Sequence, residues 1–234
     1  MTTTTCPHHK NKVRPDLPPL TDKIAALPVD ERGYPVPFFV AWIDGKPDFR
    51  IADPAKIVRC NKEKLCWTCG QSLGRYMAFP IGPMCAINRT TAEPPNHLSC
   101  AEWSVRGCPF LSRPKMVRRE DELTETHERN VAGIMIKRNP GVICLWVTRD
   151  YKIFRDPAGR PLFEIGEPTA ITWWREGRHA TRAEVQEGID TGLPALVEVC
   201  RGNEKELAEL RKHVERAMVL LPPHDKISPV PVQP

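Results

Sequence analysis

The sequence has no apolar run long enough to cross a membrane as a helix. Its longest such run, residues 142–147, is far shorter than the roughly 20 residues that a spanning helix requires. The first ten residues have no apolar stretch behind a basic patch, which predicts the absence of a secretory signal. We therefore expect a cytoplasmic protein that does not bind membranes.

Motifs of several common enzyme classes are also missing. The sequence has no phosphate-binding loop, no dinucleotide-binding glycine pattern and no GxSxG nucleophile motif. Nor does it have any histidine between His9 and His97, so no histidine general base can come from that range. These absences favour a protein that is not an enzyme, although an active site of an unrecognised type stays open.

Structural disulfides are not expected in this chain. Nine cysteines are present, but the cytosol keeps thiols reduced. Proline is abundant, with 25 in 234 residues, about twice its average share of about 5%. The prolines favour loops and short elements, and the cysteines become candidate metal ligands.

Composition divides the chain into five ranges. Residues 1–33 are predicted to form a flexible arm, and residues 34–110 a β-hairpin followed by a cysteine-rich module. Residues 111–130 form a charged linker or exposed helix. Residues 131–221 form a second unit of α+β type, and residues 222–234 a disordered proline-rich tail.

Local signals place the elements within these ranges. The dipeptide Asp44-Gly45 between two apolar runs predicts a hairpin turn. A capping box from Thr181 to Glu184 opens a helix that Gly192 is predicted to end, and Asn203 begins the last helix. Short apolar runs predict strands at 142–147, 151–154, 162–165 and 170–174.

Two ligand pairs point to a metal site. Cys66 and Cys69 are spaced as C-x2-C and followed by Gly70, which permits the tight turn of a metal-binding knuckle. His97 and Cys100 lie three residues apart at the start of a predicted helix, so they share a face. These four residues are the predicted zinc ligands, and either Cys85 or Cys108 could replace one of them.

The order of these segments resembles a treble-clef zinc finger. Residues 76–89 contain a Gly82-Pro83 turn between apolar runs and are predicted as the intervening hairpin. The predicted fold is therefore α+β: a zinc-stabilised, treble-clef-like module, followed by a unit of short antiparallel strands and two helices. An iron–sulfur cluster is the rival cofactor because enough cysteines are available. A redox-active C-x2-C pair is disfavoured, because the glycines after Cys69 would interrupt the helix that such a motif begins.

Longer phrases resemble an uncharacterised family of bacterial and bacteriophage proteins. They include "VPFFVAWIDGKPDFR", "LCWTCGQSLGRYMAF" and "EPPNHLSCAEWSVRGCPFL". The resemblance implies a bacterial or phage origin, with the host cytoplasm as the location of a phage-encoded protein. It implies no activity.

The positive charge is concentrated around the cysteines. Residues 50–119 contain twelve basic and four acidic residues.

We expect a structural zinc protein that acts as an adaptor for a protein partner. The alternative is a nucleic-acid-binding protein that uses the basic block. The candidate contacts for nucleic acid or a partner are Arg106, Arg113, Lys115, Arg118 and Arg119.

Overall fold

The computed structural model describes residues 12–113 and 141–223. Most of the predicted linker and proline-rich tail lies outside these ranges. Among the described residues, no helix is both long and apolar enough to span a bilayer. The helices are α1 (Asp22–Ala25), α2 (Pro54–Glu63), α3 (Pro83–Asn88), α4 (Leu98–Gly107), α5 (Pro109–Ser112), α6 (Arg182–Val199) and α7 (Glu204–Met218).

The strands form antiparallel sheets, so the broad prediction of an α+β fold is confirmed. Three sheets have the strand orders β1-β2, β3-β5-β8-β9 and β4-β7-β6. The strands are β1 (Val40–Ile43), β2 (Lys46–Ala52), β3 (Met77–Ile81), β4 (Thr90–Thr91), β5 (Ile143–Thr148), β6 (Tyr151–Arg155), β7 (Pro161–Ile165), β8 (Pro168–Arg175) and β9 (Arg178–His179).

Strand β5 lies at the centre of the largest sheet and is buried on both faces. Cys144 and Trp146 face an apolar core that includes α3, α6 and α7. Ile143, Leu145 and Val147 face the opposite way, toward α4. Because successive side chains alternate and both faces are covered, the strand has a continuous apolar sequence rather than an alternating one.

Strand β3 links the cysteine-rich range to the rest of the fold. It pairs with β5, and Met77 stands opposite Thr148. Phe79 and Ile81 enter the same core as the helices near the C-terminus. The described parts of ranges 34–110 and 131–221 therefore share one sheet and one core.

Three local predictions need correction. The hairpin predicted around Gly82-Pro83 is wrong, because β3 is followed by α3, with Gly82 as N-cap and Pro83 in the first turn. The predicted arm is packed against the fold over part of residues 12–33, where Ile24 is fully buried. Helix α6 does not end at Gly192 but continues to Val199.

Close packing explains why a glycine lies inside α6. A Cβ at Gly192 would lie 2.9 Å from the Met84 Cε atom of α3. The Met84 side chain therefore packs directly on this glycine and would have to shift to admit a larger residue. The favourable packing outweighs the low helix propensity of glycine and the loss of an internal hydrogen bond at Pro194.

The predicted capping box at the start of α6 is confirmed. Thr181 Oγ1 accepts a hydrogen bond from the Glu184 amide, and the Glu184 carboxylate accepts one from the Thr181 amide. A hydrogen bond from Arg178 is the main reason that the pKa of Glu184 is lowered to about 2, and the Thr181 amide lowers it further. The carboxylate is therefore stabilised in its charged form.

We expect Glu184→Gln to reduce the free energy of unfolding by about 1–2 kcal/mol at neutral pH. A carboxyl group with a lowered folded-state pKa contributes stability above its unfolded pKa of about 4.3. That contribution is lost as the pH falls to about 2. Urea unfolding from pH 7 to pH 2 should show the two proteins converging in acid, and Glu187→Gln is the control. A gap that is independent of pH would contradict this account.

Candidate metal centre

The structure brings all four predicted zinc ligands together. Their ligand atoms, one each from Cys66, Cys69, His97 and Cys100, lie within 4.8 Å of one another. The Cys66 and Cys100 side chains are buried, whereas Cys69 and His97 are partly exposed. These donors therefore form one compact cluster at the edge of the cysteine-rich region.

Cys66 and Cys69 occupy a tight turn that Gly70 makes possible. The Gly70 amide donates a hydrogen bond of 2.8 Å to the Cys66 carbonyl. Gly70 has φ +72°, and a Cβ at this position would lie 2.7 Å from Phe38 Cδ2. Both the backbone conformation and the contact with Phe38 therefore require glycine here.

The other two ligands come from the start of helix α4. His97 is the N-cap residue and Cys100 lies in the first turn. The His97 Nε2–H group donates a hydrogen bond of 2.9 Å to the Ser72 carbonyl, which leaves Nδ1 free to bind a metal. His97 Nδ1 lies 3.4 Å from Cys69 Sγ and 3.9 Å from Cys100 Sγ.

The spacing fits a tetrahedral zinc ion. Zinc bonds of about 2.3 Å to sulfur and about 2.0–2.1 Å to nitrogen would place the ligand atoms about 3.5–3.8 Å apart. The distances from His97 Nδ1 to the two sulfur atoms are close to this range. Cys66, Cys69, His97 and Cys100 would therefore hold the ion without large movements.

Hydrogen bonds within the cluster favour the thiolate form of one cysteine, Cys69. The Cys100 and Cys66 thiols lower the pKa of Cys69 to about 2, and the Gln71 amide lowers it further. The same sharing of protons raises the pKa of Cys100, whose thiol is also buried. The amide of His97 donates to Cys66 Sγ over 3.4 Å. Backbone amides around the sulfurs are typical of metal-binding knuckles.

Asn96 is a structural residue that our sequence analysis did not single out. Its side chain is 1% exposed, and Oδ1 accepts hydrogen bonds from the Thr68 amide at 3.0 Å and the Thr68 hydroxyl at 2.7 Å. Its backbone also pairs with Ala78 of β3. Asn96 therefore joins the knuckle, the start of α4 and the large sheet. In the sequence, Asn96 stands between two prolines and the predicted ligand His97, and this position was the available signal of a structural role.

An apolar layer shields the buried sulfurs. Ile24 of α1 and Trp103 of α4 belong to one cluster with Cys66 and Cys100. Trp67 faces the opposite side, where its ring stacks on Phe39 with centroids 4.9 Å apart. Trp67 and Trp103 are therefore packing residues near the site.

The two alternative ligands lie outside the cluster. Cys85 is on α3, where it packs against the main core, and burial raises its pKa to about 12. Cys108 follows the last residue of α4, and burial also raises its pKa. In the described ranges, neither thiol joins the four ligand atoms. Neither alternative ligand is therefore part of the cluster. Cys85 lies on α3, which replaces the predicted hairpin, and Cys108 follows the end of α4.

Two of the five predicted nucleic-acid contacts, Arg106 and Arg113, lie within the described residues. Arg106 is exposed in the last turn of α4, beside the turn at Gly177. Arg113 lies near Asp16, where it adds to the larger effect of Arg14 in lowering the pKa of that carboxyl. The remaining three predicted contacts, Lys115, Arg118 and Arg119, lie outside the described residues.

Comparison with known proteins identifies no relative of this chain. No family model, curated protein or solved structure matches it. The resemblance to a bacterial and phage family therefore remains an expectation from the sequence.

Proposed function

We propose that this protein is a zinc-stabilised interaction protein, an adaptor in a bacterial or phage assembly. In this proposal the metal serves folding and not catalysis. The observation that carries it is the closed set of three sulfur donors and one nitrogen donor. Structural zinc sites have four protein ligands, whereas catalytic sites keep one position for water or substrate.

The surroundings of the cluster support a structural role. Two of its sulfurs are fully buried, and the imidazole is oriented by the Ser72 carbonyl. Ligands supplied by the knuckle and by the start of α4 support a treble-clef-like arrangement, although α3 stands where the hairpin was predicted. We include that finer arrangement in the proposal, with β3 and α3 between the two ligand pairs.

Metal analysis of the purified chain tests the proposal. We expect one zinc per chain and no visible absorption. Cys108→Ser should retain the full zinc content because Cys108 lies outside the cluster. Iron together with acid-labile sulfide would contradict structural zinc and favour a cluster of the iron–sulfur type.

Cobalt substitution separates a structural site from a catalytic one. Four protein ligands leave no position for a small anion, so azide should not change the visible spectrum of the cobalt protein. A spectral shift on adding azide would reveal an exchangeable position.

The adaptor role is tested by co-purification of partner proteins with the zinc-loaded chain from the native host. Metal-dependent turnover by the purified chain would contradict that role.

A further inference from the structure

We propose that a basic and aromatic surface beside the metal centre binds single-stranded nucleic acid. This basic–tyrosine surface consists of Lys64, Arg75, Tyr76, Arg149 and Tyr151. Lys64 and Arg75 belong to the basic block of residues 50–119, whereas Arg149 and Tyr151 lie outside it. The inference rests on the proposed structural role of zinc, because the metal-binding knuckle positions part of this surface.

Two cations lie over two tyrosine rings. Lys64 Nζ is 4.9 Å from the Tyr151 ring centroid and 3.2 Å from its hydroxyl. Arg149 Cζ is 5.0 Å from the Tyr76 ring centroid, and its Nη2 donates a hydrogen bond of 2.8 Å to the Tyr76 hydroxyl. These contacts hold the charged groups against aromatic rings.

The fold places the two pairs next to each other. Arg149 directly follows β5 and Tyr151 is the first residue of β6, so their Cα atoms are at most about 7 Å apart. Tyr76 precedes Met77, which stands opposite Thr148 at the same end of the sheet. Both pairs therefore lie at the same end of strands β3 and β5.

The knuckle brings Lys64 and Arg75 to this end of the sheet. Lys64 directly precedes the knuckle, and its carbonyl accepts a hydrogen bond of 2.8 Å from the Leu73 amide. The isolated bridge between Leu65 and Ser72 closes the same loop. The two ends of the knuckle are thereby held together, with Lys64 at one end and Arg75 just beyond the other.

The surface has uncompensated positive charge. Lys64, Arg75 and Arg149 are exposed, and none forms an ion pair with a carboxylate of the described residues. Two acids adjoin the surface in sequence: Glu63, which pairs with Arg59 at 3.1 Å, and Asp150, whose Oδ1 accepts a hydrogen bond of 3.3 Å from the Thr148 hydroxyl. Three cations without a carboxylate partner among the described residues complement a polyanion.

The tyrosines indicate a single strand as the polyanion. Tyr76 is 47% exposed, which leaves ring surface available to a ligand. Unpaired bases can stack on exposed aromatic rings while the backbone follows the cations. A duplex keeps its base faces stacked inside and could use only the charge.

Fluorescence anisotropy with a labelled 20-nucleotide oligothymidine tests the inference on the zinc-loaded full chain. We expect binding at 50 mM salt that weakens steeply by 200 mM salt. The double variant Lys64→Glu/Arg149→Glu should bind at least about tenfold more weakly. Its salt slope should fall by about 1.4, because each lost phosphate contact on a single strand contributes about 0.7. Tyr76→Ala should lower affinity roughly tenfold, within the range for stacking of one base.

The double variant Lys205→Glu/Arg211→Glu on α7 provides the matched control. It makes the same change in net charge on exposed residues far along the chain, and we expect unchanged binding. Lys64 has φ +54°, so the single variant Arg149→Glu carries the test if the double variant loses thermal stability. Every variant is compared at equal zinc content.

Three results would overturn the inference: no binding by the zinc-loaded wild type at 50 mM salt, equal loss in the α7 control, or equal competition by polyglutamate or duplex DNA. Each of these leaves the zinc content and thermal stability of the wild type unchanged. They therefore reject the surface without rejecting structural zinc. A stably folded chain without metal would instead reject the proposed function.

Discussion

Cys100→Ser is expected to unfold the region around the metal centre and to abolish stoichiometric zinc binding. Structural zinc contributes about 10–16 kcal/mol of apparent binding free energy in small zinc units. The total stability of a domain is only about 5–15 kcal/mol. Loss of one of four ligands, from a fully buried position, therefore removes a contribution comparable to the whole stability.

The experiment compares zinc content, thermal unfolding and amide dispersion in NMR spectra. Cys66→Ser should behave like Cys100→Ser because its sulfur belongs to the same cluster. Cys108→Ser is the control that replaces a cysteine outside the cluster, and it should keep both zinc and a cooperative transition. A Cys100→Ser protein with unchanged zinc content and melting temperature would contradict the structural role of the metal.

Asn96→Leu is expected to lower the free energy of unfolding by about 2–4 kcal/mol. The substitution leaves the Thr68 amide and hydroxyl without their acceptor in a buried position. Each unsatisfied buried group costs about 1–3 kcal/mol. The loss should also weaken zinc retention, because Thr68 lies within the knuckle.

Urea denaturation and zinc release to a chelator measure the two effects. Asn61→Leu is a matched control, since the Asn61 Oδ1 atom is buried and has no hydrogen-bond partner among the described residues. Removing that oxygen should have little effect or should stabilise α2. Equal destabilisation by both substitutions would show that the hydrogen bonds of Asn96 have no special importance.

The elements that could be predicted from sequence depend on local signals. The turn at Asp44 and Gly45 has positive φ at both residues, as that dipeptide favours. The caps at Thr181 and Asn203 begin helices α6 and α7 because their side chains accept hydrogen bonds from nearby amides. The spacing of the ligand pairs likewise contained enough information to group the four donors.

The elements that were wrongly predicted depend on distant contacts. Glycine is typical of a helix end, which is why Gly192 was predicted to end α6. It lies inside the helix instead, packed against Met84, about a hundred residues earlier in the chain. Ile24 lies in a proline-bearing segment with little periodicity, yet it covers buried sulfurs of the cluster. Strand β3 has no local signal for its partner β5. Such pairings are decided by tertiary packing, which single-sequence patterns do not contain.

The position of β3 has a consequence for the order of assembly. Its pairing of Met77 with Thr148 spans about seventy residues, and contacts of such separation form slowly because a long loop must close first. The two predicted ligand pairs lie within residues 66–100 and enclose β3, so a metal bound by them would act over a much shorter interval. Metal binding would gather β3 into a small closed loop before it pairs with β5. In the proposed role, the ion would therefore favour early formation of the central sheet, in addition to stabilising the finished site.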